Sequence, residues 1–187
     1  MNIKTITPPG EEPVTVAEVK TYAHISHAAE DALIGSLILS GRVLCEGYQN
    51  RAYITQTLEV SYDGFPRTPF CLPRAPLQSV TSITYYDTDD APVVVPASAY
   101  QVDTSGEPGR INLGYGQIWP TVVLRDINAV VVRYIAGFGD AAATLVTNPN
   151  IHDAILLYCT YRLENRAGEI DLPAQVKGLL RHDRIIY

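Results

Sequence analysis

Apolar residues recur at three- and four-residue spacing through Leu33, Ile34, Leu37, Ile38, Leu44, Cys45 and Tyr48. This is the mark of a helix with one buried stripe, and it predicts a helix from about Ala28 to Tyr48. Glu30 and Asp31 fall in its first turn, where the helix dipole favours carboxylates. Gly35 and Gly41 weaken the helix but let another backbone come close, so tight helix packing is expected at both. Upstream, Thr15-Val16-Ala17-Glu18 reads as a capping box, with Pro13 keeping the entry extended. A first helix is therefore expected from about Val16 to Ile25, with Val16, Val19, Tyr22 and Ala23 on one face and a turn at Ser26 and His27.

From Ala52 the period changes to alternation. Ile54, Gln56, Leu58, Val60 and Tyr62 share one strand face, and Thr55, Thr57, Glu59 and Ser61 the other. Asp63-Gly64-Phe65-Pro66 is a turn signal. Further short strands are expected at Phe70 to Pro73, Val80 to Tyr86 (covered on both faces), Val93 to Val95, Tyr100 to Val102, Arg110 to Leu113 and Val130 to Ile135. Many short strands with frequent turns point to antiparallel pairing, as a barrel or a sandwich, and the lack of long helices between them argues against a parallel sheet. After Gly137-Phe138-Gly139 the chain is expected to loosen through Ala141 to Thr147. Asn148 is then a suitable N-cap and Pro149 a suitable first residue for a helix to about Arg166, with Gly168 as its C-cap. In the tail, Val176, Leu179 and Leu180 lie at helical spacing, and the chain ends in Ile185-Ile186-Tyr187. So apolar an end is expected to dock, either on the chain's own core or on a neighbour.

Composition narrows the chemistry. The 187 residues are 47% hydrophobic and 18% charged, a globular balance. Fourteen basic against twenty acidic residues give a net charge of −6, which disfavours wrapping DNA, because phosphate binding needs clustered Lys and Arg. Three widely spaced cysteines, Cys45, Cys71 and Cys159, form neither a disulfide framework nor a zinc motif. Cys45 and Cys159 read as buried small hydrophobes, in keeping with a reducing compartment. No apolar run approaches the ~20 residues of a membrane span, and Met1 to Pro13 lacks the apolar segment of an export signal.

No catalytic, cofactor or metal site emerges. Gly137-x-Gly139-x-x-Ala142 matches a dinucleotide fingerprint in letters, but Asp140 puts a carboxylate where pyrophosphate would sit, and Thr144 to Pro149 is expected to break the helix the motif needs. His24 and His27, with Glu30 and Asp31 behind them, straddle a predicted turn, which removes the geometric meaning of their spacing as metal ligands. His152 and Cys159 are seven apart, about 10 Å along a helix and beyond hydrogen-bond reach. Twelve tyrosines beside one Trp, with Tyr85, Tyr86, Tyr100, Tyr115 and Trp119 in or near the β region, fit strand packing, a protein interface or a carbohydrate-binding groove.

Several strings in fixed order resemble the head–tail connector (adaptor) proteins of long-tailed bacteriophages. They are Thr15-Val16-Ala17-Glu18-Val19-Lys20, Asp31-Ala32-Leu33-Ile34, Arg51-Ala52-Tyr53-Ile54-Thr55-Gln56-Thr57-Leu58 and Asp63-Gly64-Phe65-Pro66. The longest is Leu72-Pro73-Arg74-Ala75-Pro76-Leu77-Gln78-Ser79-Val80-Thr81-Ser82-Ile83-Thr84-Tyr85. Pro108-Gly109-Arg110-Ile111, Trp119-Pro120, Arg133-Tyr134-Ile135-Ala136-Gly137-Phe138-Gly139, Ala154-Ile155-Leu156-Leu157 and Glu164-Asn165-Arg166 complete the series. The resemblance implies an α+β fold. Its helical core would comprise residues 1–51 and 148–187, with an antiparallel β barrel or sandwich lobe inserted over residues 52–147.

It further implies a non-enzymatic virion subunit at the head–tail interface, assembled in the host bacterial cytoplasm and monomeric when isolated. In the virion it would form a dodecameric ring with copies of itself, between the portal protein and a tail-side completion or terminator protein. DNA would be only the genome passing through its channel, and no membrane is involved. The family's C-terminal segment contacts the portal, which assigns the partner interface here to Leu179, Leu180, Arg181, Ile185, Ile186 and Tyr187. The other function class left open by the residues is a carbohydrate- or surface-binding β module on a helical base.

Overall fold

The computed structural model describes residues 2–66, 69–166 and 171–186. The chain forms two compact units. One joins Met1–Pro8 to Gln56–Gly137, and the other joins Pro9–Thr55 to Phe138–Tyr187.

The first unit is all β. Its strands are β1 (Asn2–Thr7), β2 (Gln56–Tyr62), β3 (Phe70–Cys71), β4 (Leu77–Tyr86), β5 (Pro92–Val94), β6 (Tyr100–Asp103), β7 (Arg110–Leu113) and β8 (Val130–Ala136). They build a five-stranded sheet in the order β1-β2-β8-β4-β5 and a three-stranded sheet in the order β3-β7-β6. Every pairing is antiparallel, as the alternation implied, and both sheets stay open rather than closing into a barrel. β8 is central. It sets Val132 against Val60 of β2 and Ile83 of β4, and all three are fully buried. On the opposite face Arg133 reaches Glu59 of β2 at 2.7 Å. β4 buries Leu77 and Ile83 but leaves Ser79 exposed and Ser82 and Thr84 half-covered on its other face, so only one of its faces is sealed, against expectation. Register shifts beside Ser79 and Val80 hold Leu77, Val80 and Ile83 on one face, opposite the buried Ala136, Tyr134 and Val132 of β8, and leave the serines to the other. β1 had no counterpart in the hydrophobic pattern because all six of its residues are exposed; the backbone ladder to β2 carries it.

The second unit holds α1 (Val16–Tyr22), α2 (Asp31–Gln49), α3 (Ala141–Thr147), α4 (Pro149–Glu164) and α5 (Ala174–Leu180), with a 3-10 turn over Arg181–Asp183. α1 begins with the capping box read from the sequence: the Glu18 amide donates to Thr15 Oγ1, and the Thr15 amide donates to Glu18 Oε2 at 2.7 Å. Tyr22, expected on the inner face, is exposed, and Val19 alone of α1 is buried. α4 runs through the middle and touches every other helix of the unit. Ile151, Ala154, Ile155, Leu156, Tyr158 and Cys159 are buried against Ile34, Ile38 and Cys45 of α2, Val19 of α1, and Val176 and Leu180 of α5.

Three further expectations are corrected. The segment Ala141–Thr147 is helical, not loose, because Asp140 caps it by accepting from the Ala143 amide at 2.7 Å. Gly41 sits flat against the Tyr158 ring, but Gly35 faces open space. Asn148 stands at the N-cap position of α4, yet its amide donates to Asp183 Oδ2 at 2.8 Å instead of capping. Gly168, the expected C-cap, lies outside the described residues.

Candidate partner-binding surfaces

The expected chemical motifs resolve into structural roles. Gly137 and Gly139 adopt φ values of 130° and 133°, a region open to glycine, and lead from β8 into α3. The strand-to-helix context therefore exists after all. The amides that would cradle a phosphate are nonetheless taken: Ala143 N donates to Asp140, and Ala141 N donates to Glu11 Oε1 at 2.7 Å. No cluster of three or more His, Cys, Asp or Glu side chains fit for a metal occurs among the described residues. Burial pushes the Cys45 and Cys159 thiols up to about 12, with Cys159 and Glu46 adding to the effect on Cys45. Both are inert at neutral pH, whereas Cys71 is exposed. His152 faces Glu18 Oε1 at 3.3 Å, an interhelical contact without a nucleophile.

The tyrosine-rich β unit is largely self-satisfied. Phe65 stacks on Trp119 with centroids 4.9 Å apart, and Phe70 meets Trp119 edge-on at 5.5 Å. Tyr62 packs against Phe70 and Tyr85 against Phe65. These rings cover one another. Apolar residues are left open elsewhere: Tyr115, Ile118, Val123 and Ile127 in the β7–β8 connection, and Val94 in β5, are largely exposed.

The C-terminal segment is built onto its own unit from the end of α2. Asn50 closes α2 in the left-handed conformation at φ 57°. Gln49, fully buried, donates from Nε2 to the Leu180 carbonyl at 2.8 Å, accepts the Tyr53 hydroxyl at 2.7 Å, and offers its own carbonyl to the Ile185 amide at 2.9 Å. Asn50 Nδ2 donates to the Ile185 carbonyl at 2.8 Å, and Arg51 Nε to the Asp183 carbonyl at 2.7 Å. The Arg184 guanidinium lies 4.7 Å from the centre of the Tyr48 ring. Of the six residues assigned to a partner interface, Leu180 and Ile185 turn inward and are buried. Leu179 is half-buried, Arg181 is exposed, and Ile186 is 82% exposed. Tyr187 lies outside the described residues. The Gln49-Asn50-Arg51 anchor went unread in the sequence; its one local signal was an Asn placed to end a helix.

A model of the head completion protein family matches residues 12–147, well over half of the chain. The chain belongs to the head completion protein family. Solved structures share its fold over its whole length. A chain of the "Virion of native gene transfer agent (GTA) particle" aligns with a TM-score of 0.81 at 21% identity, covering 100% of this chain and 97% of that one. A chain of the "Neck of empty GTA particle computed with C6 symmetry" gives the same TM-score, identity and coverage. A chain of the "Neck of native GTA particle computed with C12 symmetry" gives 0.79 at 22% identity, with 100% and 97% covered. No individually curated protein sequence matches the chain. Membership of the head completion family makes this a structural protein of a phage-type head–tail junction. Among the described residues no helix is long and apolar enough to cross a membrane.

Proposed function

We propose that this head completion protein is a connector subunit. Twelve copies would close into a ring beneath the portal, receive a tail-side completion protein on the other side, and leave a channel for the genome. The observation that carries this reading is the family match over residues 12–147. A full-length fold shared with chains from particle necks computed with C12 and C6 symmetry supports a ring. Ring subunits need side-to-side surfaces that close by rotation and need no reactive pocket. A net charge of −6 suits a channel that must release DNA rather than grip it. The exposed Arg181 and Ile186 of the tail, with the half-buried Leu179, are the proposed portal contact, carried on an anchor of buried Leu180 and Ile185.

Co-sedimentation of the purified chain with DNA-filled, tailless capsids tests the proposal. Attachment at one vertex, followed by recovery of tail joining, is expected. A folded chain that neither attaches nor restores tail joining would overturn it.

A further inference from the structure

The solvent face of α2 inverts the usual polarity of a surface helix. Its exposed residues are Ala32, Leu33, Ser36, Leu39, Ser40, Val43 and Gly47, and none is charged. Leu39 is 49% and Val43 52% exposed. The two serines do not make the face polar. Ser36 Oγ returns to the Ala32 carbonyl at 3.1 Å, and Ser40 Oγ sits 3.4 Å from the Tyr158 hydroxyl. Past Asp31, which pairs with Lys20 of α1 in the first turn, the helix keeps its charges inside instead: Arg42 and Glu46 are 5% and 6% exposed, paired at 3.0 Å, with Glu12 on Arg42 Nε at 2.6 Å. A face about four turns long without charge, on so acidic a chain, has the composition of an interface core, where charged residues are depleted.

Identical acidic copies can meet only where like charges do not face each other, and a ring contact joins two different patches of the same chain. A suitable second patch lies in the same unit. A groove of about 360 Å³ between α1 and α4 is lined by Ala17, Thr21 and Tyr22, with Leu156 and the Glu18–His152 pair beside them. For scale, an apolar cavity of about 150 Å³ already holds benzene.

We infer that the charge-free face of α2, led by Leu39 and Val43, seats in the α1–α4 groove of the next copy around the ring. This assignment rests on the connector reading above. The contact is heterologous, so each copy offers its α2 ridge on one side and its groove on the other.

The test uses the full chain carrying Cys71→Ser, which removes the exposed thiol, and compares Leu39→Cys, Tyr22→Cys and both together on assembled particles under mild oxidation. The double variant is expected to give a ladder of linked copies, and each single variant none. A second variant, Leu39→Glu with Val43→Glu, should keep its melting temperature, because both side chains are exposed, and lose at least tenfold in particle incorporation. Incorporation without a ladder, links in the single variants, or full incorporation of the Glu variant would overturn the face assignment while leaving the connector reading intact. Failure of the Cys71→Ser parent to enter particles, although folded, would overturn the connector reading itself and this inference with it.

Discussion

At the residue scale, the packing of α2 on α4 turns on a missing side chain. A methyl group at Gly41 would stand 2.7 Å from Cδ1 of Tyr158, whose ring is itself buried. Gly41→Ala therefore trades a helix-propensity gain of up to about 1 kcal/mol for overpacking of about 1–3 kcal/mol, and net destabilisation is expected in denaturant titration. Gly35→Ala meets nothing within 4 Å and should stabilise the chain by about 0.5–1 kcal/mol. The sequence treated these two glycines alike, because their difference lies in which way each faces, and α4 sets that from more than a hundred residues away. Chemistry at the same scale is testable through the thiols. With Cys45 and Cys159 pushed up to about 12 by burial, both stay protonated at pH 8. A maleimide should label one site, Cys71, on the native chain and all three only after unfolding; labelling of two or three native thiols would show that the helical core opens.

At the element scale, legibility followed how local each cause was. The capping box of α1 needs only residues three apart, and it formed as read. Its carboxylate is held below the ordinary range by the Thr15 hydroxyl first and the Thr15 amide next. A depressed carboxylate stabilises the fold above its ordinary value and loses that contribution as pH falls through the folded one. Glu18→Gln is thus expected to cost about 0.3–1 kcal/mol at pH 7, with the gap to the parent closing in melts run at pH about 3; a gap unchanged at pH 3 would deny the carboxylate its role. β8 was read as a short strand, and the alternation of β2 was equally local and equally visible. The sheet order was not, since β8, last in the chain, inserts between β2 and β4. α3 was missed for a different reason: three alanines and two threonines give no apolar stripe, and what fixes the helix is its cap at Asp140 together with Glu11 on the Ala141 amide. Arg42 and Glu46 were unreadable for the converse reason. Charges normally mark the wet side of a helix, and their burial here depends on Glu12, thirty residues upstream of Arg42.

At the scale of the whole molecule, the site question becomes one of what the C-terminal tail is for, since the same few residues serve stability and are assigned to a partner. Neighbouring isoleucines separate the two roles. Ile185 is buried, and its amide and carbonyl are both tied to the end of α2. Ile186 is 82% exposed. The sequence presented them as one apolar terminus, because a segment without helical or strand periodicity offers no rule for which side chain turns inward; the anchor at Gln49, Asn50 and Arg51 decides it. Ile185→Ala should therefore cost about 2–4 kcal/mol of unfolding free energy, the range for emptying a buried aliphatic site. Any loss of capsid attachment in that variant would follow from lost fold. Ile186→Asp should change stability by no more than about 0.5 kcal/mol, as surface substitutions do, and yet weaken attachment to tailless capsids, because it places a charge in the proposed portal contact. The pair is decisive when melting temperature and capsid co-sedimentation are measured on the same preparations. A stable Ile186→Asp chain that attaches as well as the parent would remove the tail from the portal contact and leave it as the clasp that closes the helical unit.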